Sequence, residues 1–357
     1  MKNSEILLAQ FAERIRAAGA AKKPLRLRGG GTKDFYGQTL EGDVFDTRAY
    51  AGIVAYDPTE LYITARCGTP LEEVEAAMRA KGQMLAFEPP RFNGGSTIGG
   101  VVAAGLSGPR RQAAGAVRDF VLGVRLLDGR GDDLYFGGQV MKNVAGYDVS
   151  RLMAGAMGTL GLIAEVTLKA QPLPVAEATV RLEMPEARAI EALNKWGAKP
   201  LPISASAWRE GELYVRLSGA RAAVDAAQGK IGGEPVDAAQ AQGYWTGLRD
   251  HADAFFQDGA PLWRISVPST TAALNLSGEQ LIEWGGAQRW LASGAEARVI
   301  REAAMRAGGH ATLFRGGDKS VGVFQPLAPA IAQIHRNLKA QFDPQGIFNR
   351  GRMYPDY

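Results

Sequence analysis

The glycines of this chain come in clusters, and those clusters limit its fold more than any other feature. There are 45 glycines, grouped at 29–31, 94–95, 99–100, 105–108, 155–161 and 316–317 rather than spread as a linker. That is well above the ~7% of average usage. A glycine cluster lets backbone come close to something bulky with no Cβ in the way. The fold must therefore bring several such loops together on a scaffold that holds them. At 357 residues the chain is too long for one ordinary core and short for three, so two domains are expected. With 46% hydrophobic and 22% charged residues, it has the composition of a soluble globular protein.

Other features exclude several functional classes. No apolar run approaches the roughly 20 residues that span a bilayer. At the N-terminus, Ile6, Leu7, Leu8, Phe11 and Ile15 are interrupted by Glu5, Gln10, Glu13 and Arg14. This reads as an amphipathic helix capped by Ser4, not as a signal peptide, and puts the protein in the cytoplasm. Cys67 is the only cysteine, so the chain can form no internal disulfide and cannot by itself hold an iron–sulfur cluster. A net charge of +4, with both signs interspersed, argues against nucleic acid as a partner.

The pattern of the first half predicts a strand at Leu25–Arg28 and another at Leu61–Arg66. A helix capped by Thr69, with Pro70 at its first position, is expected to run to about Ala80. Strand character runs from Val117 to Leu127. An Asp128-Gly129 turn and a return strand at Asp133–Phe136 follow. Residues 148–154 read as helix and Leu162–Leu168 as strand. Two prolines in Ala170-Gln171-Pro172-Leu173-Pro174 mark a boundary. Beyond it, strands are expected at 176–183, 203–208, 212–218, 261–267 and 310–315, and helices at 186–196, 220–229, 294–307 and 327–341. That mixture is α+β.

Three glycine-bearing stretches carry the chemistry. Arg28-Gly29-Gly30-Gly31-Thr32 follows a strand, and its N–H groups can turn inward as an anion nest, with Thr32 and Lys33 adding a hydroxyl and a positive charge. Gly94-Gly95-Ser96-Thr97-Ile98-Gly99-Gly100 opens a short apolar helix whose N-terminus suits phosphate. Met141-Lys142-Asn143-Val144-Ala145-Gly146-Tyr147-Asp148 and then Gly158-Thr159-Leu160-Gly161-Leu162-Ile163 form the third. Taken singly, each is also consistent with a flexible turn, a tightly packed helix or a core loop.

Their order and spacing are specific. RGGGT, then TIGGxxAxxxxG, then KNxxGYD, then GTLGxIxExT resembles the vanillyl-alcohol-oxidase (PCMH-type) family of FAD-binding proteins over about the first half of the chain. The resemblance implies an α+β fold in which a two-part FAD-binding domain, here 1–174, is followed by an α+β cap, here 175–330, with 331–357 returning to the FAD site. It implies that the FAD pyrophosphate lies between Arg28, Gly29, Gly30, Gly31 and Thr32 on one side and Gly95, Ser96, Thr97, Gly99 and Gly100 on the other. Lys142 and Gly146 belong to the third motif, and Gly161 and Ile163 would lie near the adenine. Some members attach FAD through a histidine in the first loop. This chain has none before His251, so non-covalent FAD is expected.

The ending Phe342-Asp343-Pro344-Gln345-Gly346-Ile347-Phe348-Asn349 resembles that of the 2-hydroxy-acid-oxidising members, where the asparagine returns to the flavin; the resemblance makes Asn349 the candidate for that role. Arg350 stands where those members have proline. Their full-length catalytic subunits carry a closely spaced histidine pair for a metal. The three histidines here, His251, His310 and His335, are far apart, so no metal is expected. The short length, the missing pair, the stretch Glu283–Trp290 and the strand Ala311–Arg315 are similar to the family of small FAD-binding subunits of glycolate oxidase. That resemblance implies two partners, a larger FAD-binding catalytic subunit and an iron–sulfur subunit, with membrane contact only through them. A small 2-hydroxy acid needs a cation for its carboxylate and a base for its hydroxyl, for which Arg264, Arg315 and His310 are the candidates. Three readings stay open: a subunit active only in the complex, a self-sufficient flavin oxidase or dehydrogenase, and a structural subunit that keeps FAD for stability. A fourth, the UDP-N-acetylmuramate reductase group, shares the FAD fold but not this C-terminus.

Overall fold

The computed structural model describes residues 2–138 and 148–356. Its first element, the helix Lys2–Ala21, begins ahead of Ser4, which lies inside the helix rather than at its cap. Leu8, Phe11, Ile15 and Ala18 recur every three or four residues and are all buried. They pack on Phe45 and Tyr50 from one side of the domain and on Ile347 and Phe348 from the far end of the chain. Leu8, Phe11 and Ile15 each contribute about 1.5–3 kcal/mol by leaving water.

Among the described residues the first domain has three sheets, the smallest pairing Gln83–Met84 with Gln171–Pro172. Leu25–Arg28 pairs in parallel with Asp43–Asp46. Five antiparallel strands form the largest sheet, in the order Ile53–Asp57, Tyr62–Arg66, Leu162–Lys169, Val121–Leu127, Asp133–Gly137. The stretch expected to be one strand from Val117 starts as a helical turn, Val117–Phe120, and becomes strand only at Val121. The helix expected after Thr69 is Leu71–Arg79, with Pro70 rather than Thr69 in the cap position. Thr69 instead turns its hydroxyl back to the Arg66 carbonyl at 2.7 Å and accepts the Gly52 N–H at 2.9 Å.

The second domain is one eight-stranded antiparallel sheet. Its first half follows a βαββαβ path: Ala176–Glu183, the helix Glu186–Gly197, Ile203–Arg209, Glu212–Gly219, the helix Arg221–Ile231, Glu234–Val236. The second half repeats the path with Leu262–Ser266, Glu279–Glu283, Gln288–Ala292, the helix Ala297–Arg306 and His310–Arg315, with no helix between its first two strands. The halves join where Ile203–Arg209 pairs with Glu279–Glu283. Alternation along the strands sends Trp263, Ile265 and Leu313 to the helix Ala297–Arg306. Trp290 and Phe314 point the other way and pack with Tyr36 and Phe92 of the first domain. The helix Ala238–Asp250 and the strands Glu279–Glu283 and Gln288–Ala292 were not anticipated from the sequence.

Buried polar contacts join the domains. Glu88 accepts from Arg216 and Arg110, and against the upward push of desolvation those two cations hold its carboxyl below the usual range. The Trp284 indole donates to the Gly108 carbonyl, and the Lys319 amine donates to the carbonyls of Phe35 and Gly37. The α+β architecture, a two-part first domain and a sheet-based cap, is the one expected.

Candidate functional site

A cleft of about 740 Å³ opens in the first domain. Its floor is the end of the strand Leu25–Arg28, its walls are the two glycine loops, and the chain's C-terminal segment closes it from behind. Of the fifteen binding residues anticipated, Arg28, Gly29, Gly30, Gly31, Thr32, Thr97, Gly99, Gly100, Gly161, Ile163 and Asn349 line it. Lys142 and Gly146 lie outside the described residues. Gly95 and Ser96 stand just behind the wall.

The reason glycine is needed differs from one position to the next. A Cβ on Gly30 would overlap the Gly95 carbonyl, and one on Gly29 would overlap the Thr97 hydroxyl. These two glycines seal the first loop against the second. One on Gly99 would come to 2.5 Å from the Cys67 Cβ, so Gly99 lets its helix rest on the strand end. Gly31 and Gly95 need glycine for their backbone, at φ +72° and +74°. Thr97 caps the short helix Ile98–Ala104, its hydroxyl accepting the Gly100 N–H. Among the described residues, the N–H groups of Gly30, Gly31, Thr32, Lys33, Ser96 and Thr97 meet no protein acceptor. Two facing loops of free donors make an anion nest.

Lys33 is 7% exposed and lines the same cleft. Its amine donates to the hydroxyls of Ser96, at 2.8 Å, and Thr32, at 3.2 Å, and lies 5.4 Å from the centre of the Phe92 ring. Burial lowers its pKa to about 8, with the more distant Asp250 pulling the other way.

The C-terminal segment fixes this geometry. Asn349 accepts the Leu27 N–H at 2.8 Å, donates its amide to the Met157 carbonyl at 2.6 Å, and gives its own N–H to Leu25. Arg352 donates to the carbonyls of Lys33 and Tyr36, both at 3.0 Å. Behind them the Lys339 amine reaches Asp343, Thr159 and Phe348 at 2.6–2.8 Å. The sequence pattern pointed to Asn349 but not to Lys339 or Arg352, whose work lies in burial and backbone carbonyls rather than in a motif.

None of the three second-domain candidates lines this cleft. Arg264 is on the sheet face toward the first domain, with its guanidinium 3.4 Å from the Tyr36 hydroxyl and over the Phe314 ring. Arg315 is committed to the Phe256 carbonyl at 2.7 Å. His310 is exposed at the opposite end of its strand, paired with Ser266. Among the described residues no three His, Cys, Asp or Glu side chains gather as metal ligands.

The fold and the paired glycine loops define an FAD-dependent oxidoreductase subunit with a PCMH-type fold. A family model described as FAD binding domain matches residues 8–134. The solved structure of alkyldihydroxyacetonephosphate synthase shares the fold at TM-score 0.67 and 15% identity, covering 95% of this chain and 74% of that one. Glycolate oxidase subunit GlcE of Escherichia coli (strain K12) is 48% identical over 344 residues, 96% of each chain. Glycolate oxidase subunit GlcD of Bacillus subtilis (strain 168) is 34% identical over 128 residues, 36% of this chain and 27% of the relative. The chain therefore belongs to the glycolate oxidase subunit GlcE family. The residues present fit its cofactor, because the nest of free N–H groups, the two hydroxyls and a buried amine are what a pyrophosphate requires.

Proposed function

We propose that this chain holds one non-covalent FAD and serves in the oxidation of glycolate to glyoxylate, as one subunit of a complex that passes the electrons to an iron–sulfur partner. The observation that carries this reading is the 48% identity to a glycolate oxidase subunit along nearly the full length of both chains. FAD, when bound, supplies the two-electron acceptor. The chain's residues supply position. The loops at 28–33 and 95–100 hold the pyrophosphate, Gly161 and Ile163 flank the adenine side, and Asn349 keeps the first strand in register. The partners are a larger FAD-binding catalytic subunit and an iron–sulfur subunit, and any membrane contact runs through them in the cytoplasm.

For the substrate, Arg264 is the better of the two arginines. Arg315 has a backbone acceptor already, whereas among the described residues Arg264 has one long contact to a phenol and two ring faces. A guanidinium free on the inter-domain face can take a small carboxylate through two parallel hydrogen bonds. His310, exposed at the strand's far end, has no part in this reading.

The test compares the chain alone with the assembled complex, both anaerobic, on adding glycolate. The account expects the chain's own flavin to keep its 450 nm band alone and lose it in the complex. Rapid bleaching of the isolated chain would make it self-sufficient. Full turnover by a complex whose copy of this chain lacks FAD would make it a structural subunit.

A further inference from the structure

The ammonium of Lys33 sits in a costly place. Its residue is 7% exposed, and it makes no ion pair among the described residues. Its hydrogen bonds go to two neutral hydroxyls, one from each glycine loop. A buried charge without a counter-ion is unfavourable by several kcal/mol unless the group gives up its proton or an anion arrives. Burial here has already moved the amine toward the neutral form, to about pH 8.

The charged groups around it do not supply the missing anion. Asp250, at the end of the helix Ala238–Asp250, spends its carboxylate on Arg249 and the Arg91 N–H. Asp34 is paired with Arg28 at 2.7 Å. Arg352 donates to the Lys33 carbonyl and adds positive charge. His251, across the Phe92 ring, is held far below its usual pKa by burial and by Arg315 and Arg264, so it stays neutral. What remains open toward Lys33 is the cleft, with its free N–H groups.

We propose that Lys33 is the counter-cation of the FAD pyrophosphate and that FAD binding by this chain takes up a proton at the Lys33 amine. The proposal rests on the FAD reading of the cleft and adds a titrating residue to it. Two negative charges beside the amine restore its ordinary pKa. Without FAD the amine is charged below pH 8 and neutral above it. With FAD it is charged throughout the working range. By linkage, affinity is flat below about pH 7.5 and falls as pH rises beyond 8, because the proton must then come from solvent.

The experiment titrates FAD into the full chain, stripped of its flavin, by calorimetry in Tris and in HEPES, whose ionisation enthalpies differ. At pH 8.5 the wild type takes up roughly 0.7 proton per FAD, and at pH 6.5 close to none. Lys33→Arg keeps a charge that does not titrate, so it binds FAD with no proton uptake at pH 8.5. Lys33→Met also loses the uptake and binds 10- to 100-fold more weakly. Equal uptake by wild type and Lys33→Arg would overturn the proposal even if Lys33→Met failed to fold. So would undiminished FAD affinity in Lys33→Met. A wild type that binds no FAD at all would instead remove the reading on which the proposal rests.

Discussion

Asn349 and Leu27 are 322 positions apart, yet the Asn349 side-chain oxygen accepts the Leu27 N–H at 2.8 Å. With its amide on Met157, one side chain ties together the strand before the first glycine loop, the loop before Gly158 and the chain's end. Asn349 is 2% exposed, and its bond to Met157 is fully buried while that to Leu27 is partly so. The first domain thus depends on residues more than 150 positions beyond the Ala170–Pro174 link.

Asn349→Ala should leave the Leu27 N–H and the Met157 carbonyl without partners. Each buried orphan costs about 1–3 kcal/mol. The variant should melt earlier by chemical denaturation and purify with less than half the flavin of wild type, read as the ratio of absorbance at 450 nm to that at 280 nm. Unchanged flavin content would mean that the C-terminal segment does not shape the cleft.

Two glycine-to-alanine changes should act in opposite directions. Gly30→Ala has to part the two loops, since its Cβ would overlap the Gly95 carbonyl, and the protein should lose FAD or fail to accumulate. Gly229→Ala lies in the helix Arg221–Ile231 with nothing near its Cβ. It should stabilise by about 0.5–1 kcal/mol through helix propensity, with flavin content unchanged.

Glu283 makes stability depend on pH. It is 4% exposed, and burial raises its carboxyl to about 7, against opposing hydrogen bonds from the Trp290 indole and the Gln288 amide. A carboxyl whose folded pKa lies above its unfolded value is protonated on folding. Its contribution is therefore complete below about 4.5 and is lost as pH rises through 7, by about 3 kcal/mol in all. Glu283→Gln should flatten urea-unfolding stability between pH 5 and 8 relative to wild type. A parallel pH profile in the two proteins would show that Glu283 does not titrate there.

Arg264→Met tests the carboxylate assignment in the assembled enzyme. Losing a charge-assisted pair costs about 1.5–3 kcal/mol, so KM for glycolate should rise 10- to 100-fold. Because among the described residues its side chain meets the Tyr36 hydroxyl, at 3.4 Å, and two ring faces, folding stability should change little. An unchanged KM would move the substrate to another subunit.

Much of this was legible in the sequence because it is local. The Leu162–Leu168 strand, the turn after Leu127 and the glycine loops each carry their own periodicity or φ requirement. Thr69 misled because it bonds to Gly52 and Arg66 in three dimensions instead of capping forward. The helix Ala238–Asp250 was missed because AAQAQGYWTGLRD buries only Ala241, Trp245 and Leu248, and two glycines blunt its pattern. The strands on either side of Trp284-Gly285-Gly286 were missed because that corner reads as a loop. Lys33 was visible as a nearby positive charge, but its burial was not. Burial arises from Phe92 and Ser96, some sixty residues away in the sequence.

The most direct measurement is the flavin content of the full chain purified without partners, with absorbance recorded before and after acid denaturation and clarification. The account predicts a yellow protein with one FAD per chain, all of it released to the supernatant. A colourless chain that gains no 450 nm band on addition of FAD would contradict it, and flavin that stayed with the precipitate would contradict non-covalent binding.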